Sequence, residues 1–274
     1  MTLQPSVCPD QFALKAQQKR SWSAGDISVT VRPLVGVAEN LCEAVELHAC
    51  QKVLDVGTCT GNVALAAARR YCEVTGIDYV ASLLDHARAR AAIERLQISF
   101  LEADAEQLPF PTASFDVVLS AFGVMFAPAQ EQAAGELLRV CRSGGKIGLV
   151  NWTPDGLSRD MGRVMQTYAP APPGLKPPVL WGTEERIREL FGDEIASLRV
   201  KKLYFLHRYA SLEHAVQTTC NDFGPTVLVL QMLAPTTREQ LFEDMRNLFA
   251  RANKATDGTV VVPAEYLEVI AVRR

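Results

Sequence analysis

The chain has 274 residues, 48% hydrophobic and 22% charged, with a net charge of −3. That length and apolar fraction supply one large domain with a sizeable core, and a weakly acidic chain without a basic run does not favour nucleic acid as a partner, so none is expected. No apolar stretch reaches the length of a membrane span and residues 1–20 hold no continuous apolar run of signal-peptide type, so a cytoplasmic protein without a membrane partner is expected.

In chain order, Gln11–Trp22 reads as a short helix ended by Gly25, and residues 34–48 as a second helix with Leu34, Val37, Ala38, Leu41 and Val45 on one face. Strands and helices then alternate. Residues 52–56 form an apolar strand, 63–70 a helix, 73–77 a strand, 81–96 a helix, and 98–101 and 115–120 two further strands. Residues 130–141 form a helix stopped by Ser143-Gly144-Gly145, and 146–151 the next strand. Continuous apolar strands separated by amphipathic helices predict a parallel, doubly wound α/β sheet buried on both faces. The rhythm breaks at residues 154–178, where Pro154, Pro170, Pro172, Pro173, Pro177 and Pro178 suggest a linker or lid. Thr183 is placed to cap a helix to Phe191. A strand over 198–206, helices around 211–220 and 238–252, a turn at Asp257-Gly258 and a strand over 266–272 complete the reading. Cys8, Cys42, Cys50, Cys72, Cys141 and Cys220 read as reduced structural residues, because the seven cysteines show neither a CxxC pair nor metal-type clustering.

The chemistry concentrates in Val53-Leu54-Asp55-Val56-Gly57-Thr58-Cys59-Thr60-Gly61-Asn62. A strand runs into a glycine-bearing turn and straight into a helix, placing backbone N–H groups at the carboxyl end of the sheet, where nucleotide-like ligands bind. A dinucleotide fingerprint counted from Gly57 needs glycine at 59 and 62, which are Cys59 and Asn62. The other class that suits such a unit binds S-adenosylmethionine (SAM). There Asp55 lies near the ligand's ammonium, and Gly57 and Gly61 let backbone pass close. Asp78, ending the second strand, can accept from ribose hydroxyls, and Asp104, following the third, from an adenine amino group. Each has a plainer reading: Asp55 and Asp78 as turn residues, Asp104 as a helix cap, Gly57 and Gly61 as turn formers. Thr58, Tyr79, Ala105 and Ser120 stand beside them and complete the expected cofactor set.

With these residues the chain resembles class I SAM-dependent methyltransferases. Leu108-Pro109-Phe110-Pro111, Ser114-Phe115-Asp116-Val117-Val118 and Leu138-Arg139-Val140-Cys141-Arg142-Ser143-Gly144-Gly145 are similar to the ubiquinone/menaquinone-biosynthesis branch. Gly148 to Pro154, Leu180-Trp181-Gly182-Thr183 and Val261 to Glu268 resemble a narrower bacterial group, so the likeness spans nearly the whole chain. It implies a seven-stranded Rossmann-like sheet with an antiparallel final strand, SAM as cofactor and no metal. One methyltransferase domain is expected over 1–274: an N-terminal helical cap (1–50), a SAM-binding core (51–151), a Pro-rich linker or lid (152–182), a core continuation (183–206), a helical insertion over the cleft (207–258) and a closing strand (259–274). Two departures stand out. Ser143 replaces a common proline. Cys59 takes a common glycine position, either as a tolerated small residue or as a reactive thiol whose pKa the helix N-terminus would lower.

A methyl acceptor would meet the cofactor beyond the fourth and fifth strands, near Phe122, Met125 and Phe126 and near Asn151 and Trp152. An aromatic, Met-bearing wall suits a planar or apolar small molecule, although the same residues serve as ordinary core. Trp22 with Gly25-Asp26 could close from the N-terminal side. No catalytic residue is marked, and His207 is the first candidate for proton transfer. The expected function is methyl transfer to a small molecule by in-line displacement. The alternatives are a SAM-binding sensor or scaffold and a nicotinamide-dependent oxidoreductase. The oligomeric state is not legible.

Overall fold

Seven strands form one sheet in the order β3-β2-β1-β4-β5-β7-β6 in the computed structural model, which describes residues 11–172 and 174–274. Cys8 and Pro173 lie outside the described residues. β1 (Lys52–Val56), β2 (Glu73–Asp78), β3 (Ile98–Glu102), β4 (Phe115–Ala121) and β5 (Cys141–Trp152) pair in parallel. The last strand, β7 (Val260–Arg273), lies antiparallel between β5 and β6 (Ile195–Tyr209). The chain reverses strand order between β1 and β4, so the carboxyl ends of these two strands open onto a shared crevice.

Packing explains the register. Val53, Leu54, Val56, Val117, Val118 and Leu119 are almost wholly buried, as central parallel strands require. On one face α3 (Val35–Ala44) and α4 (Asn62–Arg69) cover them. The alanines of α4 keep that helix close to the sheet. A Cβ at Gly148 would stand 2.5 Å from Val45 Cγ1 and 2.8 Å from Leu119 Cδ2, so β5 carries no side chain there. The opposite face packs under α6 (Gln130–Val140) and α8 (Glu184–Phe191), with Trp181 and Phe191 at the centre. Thr183 caps α8, its Oγ1 accepting from Arg186 N–H at 3.3 Å. The flank beyond β2 is closed by α5 (Ala81–Ile93).

Several elements differ from the reading of the sequence. The helix read to Cys141 ends at Val140, and Ser143-Gly144-Gly145 is not a stop between helix and strand but part of the irregular start of β5, where the β4 register shifts between Phe115 and Val117. The Pro-rich stretch holds a helix of its own, α7 (Gly156–Tyr168), with the prolines on its flanks. A further helix, α10 (Gly224–Met232), stands between α9 (Leu212–Asn221) and α11 (Pro235–Ala252). Its Val227-Leu228-Val229-Leu230 run suits a strand by composition, but Pro225 in the first turn sets a helical φ. These helices and the ends of β6 and β7 form a second core around Val216, Leu241, Met245, Phe249 and Val262. At the N-terminus, α1 (Gln11–Trp22) and α2 (Ile27–Val31) lead into α3.

Trp181 is fully buried, and its indole Nε1 has no hydrogen-bond partner among the described residues. Its value is therefore volume. Trp181→Ala should cost about 3–5 kcal/mol, whereas Trp181→Phe should cost far less because no hydrogen bond is lost. Urea denaturation of the two variants checks the order.

Candidate active site

The crevice at the strand ends opens into a cavity of about 780 Å³. Its floor is the loop after β1. Asp55 is 1% exposed. Its Oδ2 accepts from Thr58 Oγ1 at 2.6 Å and from Ala64 N–H at 3.0 Å, while Oδ1 has no partner among the described residues. Burial pushes this carboxyl up to about 7; the two hydrogen bonds oppose the shift and the charge of Asp78 adds to it. Gly57 has φ +69°, and a Cβ there would come within 2.8 Å of Gly123 Cα. The β1 loop and the segment after β4 thus meet backbone to backbone. Thr58 N–H donates to Ile77 O at 2.8 Å, tying the same loop to β2.

Asp78 receives two backbone hydrogen bonds, from Cys59 N–H at 2.9 Å and Val80 N–H at 3.0 Å. Burial raises its pKa despite them. Cys59 adopts φ +51°, the left-handed backbone that glycine adopts without strain, and the bond to Asp78 holds it there. Its side chain packs against the Ile27, Val80 and Leu83 cluster. Of the two readings of Cys59, the surroundings oppose the reactive thiol: burial, then the nearby Asp78 charge, push its pKa up to about 12. Desolvation of the thiolate outweighs the helix terminus.

Asp104 follows β3 and faces the cavity, but its Oδ2 is engaged by Lys15 Nζ at 2.5 Å, from a helix 89 residues earlier. The same ammonium lies 2.5 Å from Glu106 Oε2, a carboxylate whose side chain is 1% exposed. Lys19 pairs with Glu102 at 2.5 Å, and Gln18 Nε2 donates to Phe126 O at 3.0 Å. Trp22 sets its ring edge-on to Phe126 and Phe223, with centroids 4.8 and 5.8 Å apart. By these contacts α1 straps the cavity from the N-terminal side.

Asp55, Gly57, Thr58, Asp78, Tyr79, Asp104 and Ala105 all line the cavity, and so do Phe122, Met125, Trp152 and His207. The remaining expected residues stand behind it. Gly61 begins α4 with φ +88°, and a Cβ there would strike Leu65. Ser120 Oγ donates to Val56 O at 2.6 Å and accepts from Val124 N–H at 2.9 Å. Asn151 is fully buried, and neither amide atom has a partner among the described residues. Lining residues not anticipated include Lys15, Asn62, Leu157, Met161, Met165 and Tyr209. Those of α7 had a signal: Leu157, Met161, Val164, Met165 and Tyr168 recur at helical spacing between the prolines.

The cavity is divided by chemistry. The charged side chains lining it, Lys15, Lys19, Asp55, Asp78 and Asp104, all belong to α1 or to the ends of β1 to β3. The far end, beyond β4 and β5, is apolar and aromatic. Phe122 and Trp152 stack there with centroids 3.9 Å apart at 15°, and Tyr266 meets both edge-on. Burial holds His207 down at about 4, so its imidazole is neutral near pH 7 and is a weak proton acceptor.

A methyltransferase domain family matches residues 54–149. An uncharacterized protein of Mycobacterium tuberculosis is 33% identical over 280 residues, covering all of both chains. Demethylmenaquinone methyltransferase of Deinococcus radiodurans is 39% identical over 123 residues, which cover 44% of this chain and 51% of its own. Among solved structures, YcgJ of Bacillus subtilis superposes with a TM-score of 0.60 at 18% identity, covering 87% of this chain and 99% of its own. Phosphoethanolamine N-methyltransferase 2 of Haemonchus contortus, solved with phosphomonomethylethanolamine and S-adenosylhomocysteine, also gives 0.60 at 16% identity, covering 98% of this chain and 61% of its own.

With a pKa of about 12, roughly one Cys59 thiol in 10⁴ is ionised at pH 8. Timed alkylation at that pH with peptide mapping should label exposed Cys50 well before Cys59. Equal labelling rates would show that the thiol is not shielded.

Proposed function

The chain belongs to the class I SAM-dependent methyltransferases, similar to the demethylmenaquinone branch, and from that premise we propose that it methylates a small apolar acceptor held against the aromatic end of the cavity. The observation that carries this reading is the continuity of one cavity from the strand-end carboxylates to the Phe122–Trp152 stack. A ligand pair placed in one enclosure needs no large movement to meet.

The residues present fit the cofactor. Asp55 Oδ1 is a buried carboxylate oxygen without a partner among the described residues, on the cavity floor, and a ligand ammonium satisfies it directly or through water. Gly57 keeps a side chain out of the loop where the cofactor's backbone-binding end would lie, with Thr58 and Gly61 shaping the loop around it. Asp78 retains lone pairs for ribose hydroxyls beyond its two backbone bonds, and Asp104 retains acceptor capacity beside Lys15. Tyr79 and Ala105 would flank the adenine, and the Tyr79 hydroxyl is a second buried group without a partner among the described residues. Ser120 fixes the loop from behind.

Bound SAM supplies a methyl group carried on a positively charged sulfur. The chain's own residues contribute alignment, charge and exclusion of water. Holding reacting groups in line is worth about 7–11 kcal/mol of barrier, against the about 10²–10⁴-fold that a general base supplies. Positioning suffices where the acceptor is already nucleophilic, and the weak basicity of His207 agrees with a reaction that leans on it. Phe122, Met125 and Trp152 would flank the acceptor, and Asn151 would support that wall from behind. The nicotinamide reading is set aside by the family match. A cytoplasmic setting belongs to this proposal. It is supported by the unpaired cysteines among the described residues, and no helix among those residues is long and apolar enough to cross a membrane.

Calorimetry with S-adenosylhomocysteine tests the reading, and no affinity at millimolar ligand would sink it. Asp78→Ala should weaken binding about tenfold or more by removing charge-assisted bonds to the ribose; wild-type affinity in that variant would refute the assignment. Asp55 sets the pH dependence. Its folded pKa of about 7 lies above the unfolded value of 3.8, so its share of the empty protein's stability is lost as pH rises through about 7. A ligand ammonium reverses that cost only when Asp55 is ionised. Cofactor affinity should therefore fall as pH drops from 8 to 6, and Asp55→Asn should flatten the dependence. An unchanged slope in that variant would assign the titration elsewhere.

A further inference from the structure

We propose that the distal end of the cavity binds an uncharged, ring-sized apolar molecule through one hydroxyl or carbonyl oxygen held by the His207 imidazole. This rests on the acceptor chamber described above and deepens it to a chemical class.

The first support is what the distal end lacks. From Trp152 through Leu157, Met161 and Met165 to Phe249, the lining side chains carry no charge. A carboxylate, phosphate or ammonium entering this end would lose its hydration with no counter-charge to meet it. Desolvation of an unpaired ion costs several kcal/mol. The wall therefore rejects charged acceptors while the opposite end, with its carboxylates and lysines, accepts a charged cofactor.

The second support is what the distal end contains. Alternation along β6 puts Phe205, His207 and Tyr209 on one face, where Phe205 packs against the α3–α4 cluster and Tyr209 meets Phe249 of α11. His207 is held among rings: Phe205 edge-on with centroids 4.8 Å apart, Trp152 at 6.0 Å and Tyr209 parallel at 6.2 Å. Three aromatic neighbours fix the imidazole plane, and its ring nitrogens make no hydrogen bond among the described residues. Two neighbouring hydroxyls are already committed: Tyr209 bonds to Thr219, and Thr219 Oγ1 donates to Ala215 O at 2.9 Å. Ser158 adds a hydroxyl on the α7 wall, and His207 is the polar group that the aromatic rings frame at this end, open to a partner from the cavity. Neutral imidazole offers one donor and one acceptor, so it can hold a hydroxyl or a carbonyl oxygen. Burial keeps it neutral at working pH, which removes any attraction for an anion.

Three probes of one shape separate these effects: 1-naphthol, naphthalene and 1-naphthoate. They are titrated by ligand-observed NMR into protein saturated with S-adenosylhomocysteine. 1-Naphthol should bind about fivefold tighter than naphthalene, the worth of one net hydrogen bond. 1-Naphthoate should bind at least about 100-fold more weakly than 1-naphthol, from its uncompensated charge. His207→Phe should bring 1-naphthol to the naphthalene level, and His207→Gln should restore part of the preference. S-adenosylhomocysteine affinity should be unchanged in both variants, which also shows that they fold. Equal binding of 1-naphthoate and 1-naphthol, an intact preference in His207→Phe, or no binding of any probe would each overturn the proposal. Those results with normal S-adenosylhomocysteine binding leave the methyltransferase reading standing. Loss of S-adenosylhomocysteine binding in the wild type overturns both.

Discussion

Gly57 and Gly123 touch backbone to backbone where β1 and β4 end, and the rest of the site depends on that contact. A Cβ on Gly57 would lie 2.8 Å from Gly123 Cα, and one on Gly123 equally close to Gly57 O. The approach draws the β1 loop across the sheet and starts α4 at the crevice. It leaves Asp55 beneath the loop with one oxygen satisfied by Thr58 and Ala64 and the other facing inward. Ser120 locks the arrangement from the β4 side by bonding both Val56 O and Val124 N. A side chain at either glycine would push apart segments that carry the floor and the far wall of one cavity.

What was legible in the chain were features carried by local sequence. Asp55 and Asp78 announce themselves because each ends an apolar run, and the strand alternation fixes where such ends lie. The antiparallel final strand followed from the resemblance of the last segment rather than from periodicity. Thr183 as a cap follows from a hydroxyl placed ahead of Glu184-Glu185. Features made by distant partners were not legible. The engagement of Asp104 by Lys15 joins residues 89 positions apart, and no local pattern predicts it. The buried carboxylate of Glu106 needs that same lysine, so α1 is part of the site electrostatically as well as sterically.

Cys59 shows how position overrides residue type. Glycine suits the left-handed turn, yet cysteine occupies it because the backbone N–H, not the side chain, makes the bond to Asp78. The small thiol is turned into an apolar cluster, where burial suppresses ionisation. The helices α7 and α10 were masked for another reason. Flanking prolines obscured the helical spacing of α7, and the β-type composition of Val227 to Leu230 obscured the helix start that Pro225 sets; both helices then pack into the core around Leu241 and Phe249.

The segregation of charge along the cavity also divides the thermodynamics of filling it. Ligand groups at the strand-end carboxylates exchange hydration for ion pairing, so their association is sensitive to ionic strength and largely enthalpic. A molecule entering among Met161, Met165 and Phe249 removes apolar surface from water and carries a negative heat-capacity change. On the proposed reading, one enclosure would take two ligands whose affinities respond differently to temperature. Cooling and warming would then shift the balance between a protein loaded at one end and a protein loaded at both.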